Sequence, residues 1–233
     1  MIRPIAQRKF KDRIQAGRLL ATKLAAYANR SDVIVLALPR GGVPVAWEVA
    51  KSLKAPLDVL VVRKLGVPYQ PELAMGAIAS GGIRVLNEEV LRYLEISPAD
   101  IEAVAAREQR ELERRERLYR GGRPMPKVRD RIVILVDDGI ATGTTMRSAV
   151  LALKQQEPAR IIIAVPTAAQ SSCDEYRSEA DRIECVCLMT PEPFFAVGLW
   201  YENFDQTTDD EVRELLASST SNHPKLEEAP HGE

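Results

Sequence analysis

The chain has 233 residues, 45% of them hydrophobic, with 32 basic and 33 acidic side chains and a formal net charge of -1. That length suits one α/β domain with appendages, and the balanced charge gives no reason to expect nucleic acid or a membrane surface as the main partner. The only two histidines, His223 and His231, lie in a polar tail, which argues against serine–histidine or cysteine–histidine catalysis and against a histidine-ligated zinc site.

The three cysteines, Cys173, Cys185 and Cys187, are an odd and sparse set that points to a reducing compartment. The start, Met1-Ile2-Arg3-Pro4, soon becomes charged and shows no signal peptide, and the apolar runs are too short to span a bilayer. The expected location is cytoplasmic.

Residues 6–29 place Phe10, Ile14, Leu19, Leu20, Leu24 and Ala25 near one stripe and predict an amphipathic helix. Five short apolar runs follow, at 33–38, 57–62, 132–136, 161–165 and 183–188. Continuous runs rich in Val and Ile suit strands buried on both faces, hence a parallel sheet. Helical spacing separates several of them, as in Val43, Ala46, Trp47 and Ala50, and again in Met146, Ala149, Val150 and Leu153. The expectation is an α/β fold, a parallel five-stranded sheet flanked by helices and joined by right-handed crossovers.

Residues 64–130 interrupt the alternation. Apolar segments at 74–79 and 83–86 around Gly81 and Gly82 predict a hairpin. Ser97, Pro98 and Asp100 form a capping-box pattern opening a helix that runs to about Arg120, where Gly121 and Gly122 stop it. Glu111/Arg115, Glu113/Arg117 and Glu116/Arg120 are spaced as i,i+4 pairs, and this charge run reads as a solvated face. Thr208 and Glu211 cap a short helix through Leu216, and residues 218–233 read as a disordered tail. The organisation expected is one domain over 1–217, with a hairpin-plus-helix insertion at about 66–122 and a small C-terminal hood at about 190–217.

The most informative segment is the apolar run 132–136 followed by Asp137-Asp138-Gly139-Ile140-Ala141-Thr142-Gly143-Thr144-Thr145. A strand runs into two acids, then a small-residue loop, then a helix. Glycines allow a sharp turn and close approach of a ligand, and the free amides of a helix start, with three threonine hydroxyls, suit a phosphate monoester. The acids suit hydroxyl donors or a magnesium shell instead. An ordinary strand–turn–helix junction is the competing reading, but two adjacent acids ending a buried strand are costly without a partner.

These residues resemble the phosphoribosyl pyrophosphate signature of type I phosphoribosyltransferases: an apolar strand, two acids, spacers, then Thr-Gly-x-Thr. The resemblance covers roughly 30–205, and the whole-chain pattern looks most like a group of uncharacterised bacterial predicted phosphoribosyltransferases, which share Phe10-Lys11-Asp12-Arg13 and the stretch from Phe204 to Val212. It implies that Asp137 and Asp138 face the ribose hydroxyls, with magnesium held through them or through water. It also implies that Ala141, Thr142, Gly143, Thr144 and Thr145 surround the 5-phosphate.

The first strand ends in Arg40-Gly41-Gly42, where a guanidinium and exposed amides suit phosphate oxygens. Alone this is a common loop. In a parallel sheet, however, ligands lie beyond the carboxyl ends of strands, and Arg40, Arg63-Lys64 and Asp137-Asp138 each follow a different predicted strand at that edge. Arg40-Gly41-Gly42 is similar to the pyrophosphate loop of xanthine–guanine phosphoribosyltransferases, and Arg63-Lys64-Leu65-Gly66 to a segment of the adenine enzymes; both imply pyrophosphate contacts. In the family the peptide corresponding to Arg40-Gly41 is often cis. Asp137, Asp138 and Lys64 are the candidate catalytic groups on this resemblance.

Near the end, Phe194, Phe195, Trp200 and Tyr201 suit either a stacking wall for a flat ring or a cap packed on the sheet. The run resembles the hood of purine phosphoribosyltransferases, which implies Phe195 and Trp200 near the base and Glu202 near magnesium or the ring edge. Glu72 falls in the segment corresponding to the family's mobile loop and is either an acceptor contact or a solvated acid. Ala141 stands where hypoxanthine–guanine enzymes have an aspartate, which argues against that subclass.

The implied reaction is magnesium-dependent transfer of ribose 5-phosphate from phosphoribosyl pyrophosphate to a nitrogenous, nucleobase-like small molecule, with release of pyrophosphate, in an enzyme that is a homodimer by family resemblance. Residues 66–122 are positioned to act as a lid. A non-catalytic regulator that binds phosphoribosyl pyrophosphate is the alternative. A dinucleotide oxidoreductase is disfavoured because no Gly-x-Gly-x-x-Gly follows any predicted strand.

Overall fold

Five strands form the parallel sheet in the computed structural model, which describes residues 9–178 and 182–222. They are β1 (Val33–Ala37), β2 (Leu57–Val59), β6 (Ile132–Val136), β7 (Arg160–Thr167) and β8 (Ile183–Met189), in the order β2-β1-β6-β7-β8. Their apolar continuity follows from burial on both faces. Val33, Val35 and Ala37 join a cluster with Leu20, Ala46, Val49 and Val212, whereas Ile34 and Leu36 join Met146, Val150, Cys173 and Tyr176. The helices behind the first cluster are α1 (Arg13–Lys23), α2 (Gly42–Leu53) and α7 (Asp209–Asn222); behind the second are α5 (Thr144–Lys154) and α6 (Gln170–Ser178). The chain leaves β1 toward one edge and β6 toward the other, so the strand order reverses between them, and ligands of open α/β sheets bind at such a point.

The run at 57–62 is not one strand. β2 stops at Val59, buried Leu60 and Val61 pass between sheets, and Val62 opens β3 (Val62–Val67). The break is held where Leu60 donates its amide to Ala37 and Val61 donates to the Ser80 hydroxyl, at 2.9 and 3.0 Å. With β4 (Gln70–Ala79) and β5 (Ile83–Leu86), β3 builds a separate antiparallel sheet, β3-β4-β5. The expected glycine turn joins its last two strands, with φ of 86° at Gly81 and 74° at Gly82. Then come α3 (Glu88–Tyr93) and α4 (Pro98–Arg120). Ser97 caps α4 by accepting from the Asp100 amide at 3.1 Å, and Gly121 ends it at φ 61°.

α4 is not simply a solvated face. Glu111–Arg115 and Glu116–Arg120 form at 2.8 and 2.6 Å as expected, while Glu113 accepts from Gln109 at 3.0 Å. Arg120 is turned inward, its side chain 2% exposed, and bonds Asp58 at 2.9 Å and the Val59 carbonyl. Glu108 is also buried, against Arg63.

Both outer helices differ from expectation. α1 begins at Arg13 because the Asp12 carboxylate accepts the Gln15 amide at 2.7 Å as a cap; Phe10, before it, bridges to Tyr201. α7 continues past Leu216 to Asn222, where Trp47 of α2 donates its indole N–H to Ser218 at 2.9 Å, so 218–222 are helix rather than tail. The remainder of the expected tail, 223–233, lies outside the described residues. Among the described residues, no helix is long and apolar enough to cross a membrane.

Candidate functional site

Where β1 and β6 end side by side, their loops meet. Leu38 donates its amide to the Val136 carbonyl at 2.9 Å, and the next residues on each side are Pro39-Arg40-Gly41-Gly42 and Asp137-Asp138. The glycines make room for the acids. A Cβ on Gly41 would lie 2.0 Å from Asp138 Oδ2, and one on Gly42 2.8 Å from the Val136 carbonyl. The Gly42 amide is not open, since it donates to Leu38 at 3.1 Å. The cis peptide lies at Pro39-Arg40, one bond before the Arg40-Gly41 bond named by resemblance.

Burial pushes both carboxyl groups above the ordinary range. For Asp137 the charge of Asp138 adds to the effect; for Asp138 the Arg13 guanidinium opposes it. Asp137 Oδ1 accepts the Asp138 amide at 2.8 Å. Arg13 donates from Nε at 2.9 Å to Asp138 Oδ2 and places Nη2 2.8 Å from the same oxygen. The same guanidinium donates to the Asp205 carbonyl at 2.7 Å and stacks 3.9 Å from the Phe204 ring centre. Tyr201 donates its hydroxyl to the Asp138 carbonyl at 2.6 Å, and burial, then the Asp138 charge, push that phenol upward.

The loop after the acids is tied to the end of β7, where Ile140 donates to Thr167 at 2.9 Å and Ala169 donates to Ile140 at 3.1 Å. Ala141, Thr142, Thr144 and Thr145 are exposed, and the Thr142 and Thr144 hydroxyls lie 3.4 Å apart. Gly143 stands at the N-cap of α5 with φ 72° and has no side chain to cap the first turn. The amides of Thr144, Thr145 and Met146 therefore have no partner within the helix and open toward the loop. From α6, Ser172 and Tyr176 donate to the carbonyls of Ala141 and Gly143, each at 3.1 Å.

The expected cations divide. Arg40 is on the same loop as Gly41, half-buried and 3.9 Å from Asp209. Arg63 and Lys64 instead lie inside β3 of the second sheet. Arg63 pairs with Glu108 at 2.6 Å and Lys64 with Glu72 at 3.3 Å. Glu72 is 98% exposed at that contact. In the hood, Phe195 is 77% exposed and Glu202 is exposed, its amide donating to Phe10 at 2.8 Å. Trp200 ends a 3-10 turn, Val197–Trp200, and its Nε1 is buried with no partner among the described residues. The hood touches the acid loop, for a Cβ on Gly139 would meet Val197 at 2.6 Å. Among the described residues no three His, Cys, Asp or Glu groups gather to hold a metal, so this edge offers the acid pair alone.

Arg13, Ser172 and Tyr176 were not identified by sequence reasoning as site residues, and Tyr201 was read only as a stacking or capping aromatic, not as a donor to Asp138. Arg13 did carry a signal, in Phe10-Lys11-Asp12-Arg13, and Tyr201 stood in the aromatic run.

The family model described as phosphoribosyl transferase domain matches residues 8–202. Two Mycobacterium tuberculosis proteins, from strains H37Rv and CDC 1551 and provisionally named phosphoribosyl transferases, are 51% identical over 207 residues, 89% of this chain. The chain spans about half of those relatives, 46% of their length. The crystal structure of TT1426 from Thermus thermophilus is similar with a TM-score of 0.80 and 42% identity, covering 90% of this chain and 98% of that one. The family match runs through both the acid pair and the threonine loop, and the chain belongs to the phosphoribosyltransferase family of glycosyl-transferring enzymes.

Proposed function

We propose that this chain binds phosphoribosyl pyrophosphate and transfers its ribose 5-phosphate to a ring nitrogen of a nucleobase-like acceptor. The bond from C1 to the diphosphate oxygen breaks, a C1–N bond forms, pyrophosphate leaves, and an acceptor N–H proton passes to solvent. The observation that carries this reading is the placement of a helix start without a side-chain cap beside two buried acids at the reversal of strand order, and such a start suits an anion.

In this reading the amides and hydroxyls of 142–145 take the 5-phosphate, Asp137 and Asp138 take the ribose hydroxyls, and Arg40 faces the leaving diphosphate. Arg63 and Lys64 reach that diphosphate only by exchanging Glu108 and Glu72 for it. Two carboxylates without a third suit magnesium, which keeps several waters and takes much of its shell from substrate phosphates. When bound, through Asp137 and Asp138 by way of water or ribose hydroxyls, it offsets charge on the departing diphosphate. The exposed Phe195 and half-buried Trp200 are the proposed acceptor wall, with Glu202 and Glu72 at its margin.

The test has two parts. Phosphoribosyl pyrophosphate with magnesium raises the melting temperature of the wild type, and the Asp137→Asn/Asp138→Asn protein loses that rise while remaining folded. A screen of purine, pyrimidine and pyridine bases then detects pyrophosphate release. Unchanged stabilisation of the double variant counts against the assignment of the acids, and no release with any base leaves a binding protein.

A further inference from the structure

We propose that Arg13 is a positioning residue for sugar recognition, setting the orientation of Asp138 so that the acid pair presents one unengaged oxygen from each carboxyl group to a vicinal diol. This rests on the reading that the pair faces the ribose of a sugar phosphate.

Asp138 Oδ2 is enclosed. It accepts two contacts from Arg13, at 2.9 and 2.8 Å, and lies against Gly41, where any side chain would collide with it. Among the described residues nothing bonds Oδ1 of Asp138. On Asp137 it is Oδ1 that is engaged, by the Asp138 amide at 2.8 Å, and Oδ2 that is left. Two adjacent carboxylates each retain one oxygen, and two neighbouring hydroxyls of a furanose supply one donor apiece.

Arg13 is itself held at points unrelated to the acids. Its Nη1 donates to the Asp205 carbonyl at 2.7 Å, its plane lies 3.9 Å from the centre of Phe204, and the side chain is 11% exposed. A fork fixed in this way defines where Oδ2 sits, which a mobile counter-charge would not do. Charge neutralisation alone would need only a cation nearby. The geometry adds direction, because both nitrogens meet the same oxygen.

The experiment compares calorimetric binding of ribose 5-phosphate and 2-deoxyribose 5-phosphate to the full chain as wild type, Arg13→Lys and Arg13→Met. The wild type prefers the ribose compound. Arg13→Met loses about tenfold of that preference, the worth of one hydrogen bond to a charged group, while competition by inorganic phosphate is unchanged because the threonine loop is intact. Arg13→Lys, which keeps charge without the fork, recovers part of the preference; a purely structural role would move both sugars and phosphate together. Phe204→Leu supplies a second arm that keeps every charge and removes only the ring under the guanidinium, and it reduces the preference if Arg13→Met does not fold. A folded Arg13→Met, or Phe204→Leu, with the full wild-type preference overturns the inference. A wild type that binds neither sugar phosphate overturns the proposed function first, and this inference with it.

Discussion

Tyr176 of α6 donates its hydroxyl to the main-chain carbonyl of Gly143 at 3.1 Å, from a position only 1% exposed. Gly143 is the residue whose left-handed backbone starts α5. The proposed phosphate loop is thus braced from behind by a helix that follows the next strand, and its turn is fixed before any anion arrives.

Tyr176→Phe removes this donor and leaves the buried carbonyl without it. The expected cost is about 1 kcal/mol in urea unfolding, with a several-fold loss in ribose 5-phosphate affinity. Gly143→Val goes further. At φ 72° a β-branched side chain is strained, and its Cβ would meet the Tyr176 hydroxyl at 3.1 Å, so sugar-phosphate binding is lost altogether. A folded valine variant that binds normally would show that the loop is only a turn.

Burial of Asp137 is expected to weaken the fold wherever its carboxyl is charged. Burial raises the folded pKa of Asp137 above its unfolded value, so the native state holds the proton more tightly. That contribution is present at low pH and is lost as pH rises from the ordinary carboxylate range through the raised pKa. In chelator at neutral pH, Asp137→Asn is therefore expected to melt a few degrees above the wild type, with the gap closing toward about pH 4. Equal melting at every pH would contradict this account.

Arg120 joins α4 to the break between the two sheets. Its Nε bonds Asp58 at 2.9 Å, Nη1 bonds Glu116 at 2.6 Å, and Nη2 bonds the Val59 carbonyl. Arg120→Met strands a buried carbonyl and two acids, at an expected cost of about 3 kcal/mol in urea unfolding. Arg120→Lys recovers less than half, since one ammonium cannot reproduce three divergent contacts. A loss below about 0.5 kcal/mol, the range of ordinary surface substitutions, would place the residue with them.

The tip between β3 and β4 is the expected site of first proteolysis within the lid segment. Residues 69–73 are all exposed, with Tyr69 at 92%, whereas α4 is tied down by Arg63–Glu108 and by Arg120. Limited chymotrypsin digestion is expected to cut first at 69–73, more slowly with phosphoribosyl pyrophosphate and magnesium present. First cleavage within α4, or no protection by ligand, would argue against a closing tip.

The strands easiest to read were those with no alternation to misread. β1 and β6 are buried at every residue, and the loop at 137–145 is contiguous, so its chemistry is written in order. The run at 57–62 misled because Leu60 and Val61 are buried while passing from one sheet to the other, and nothing apolar marks the change. Phe10 prolonged a helical stripe although it packs against Tyr201 instead. Arg120 looked solvated among its charged neighbours because Asp58, its partner, is 62 residues away. Arg13 was hidden for the same reason, with 125 residues separating it from Asp138.

The Arg13 bond to Asp205 spans 192 residues. During synthesis the proposed phosphate loop and both acids leave the ribosome before the segment that completes their surroundings. A nascent chain ending near residue 190 thus carries the whole signature and Arg13, but not Phe204 and Asp205, which hold Arg13 in place. In the proposed reading, competence for the sugar waits for residues 204 and 205, and contacts of such long sequence separation form slowly.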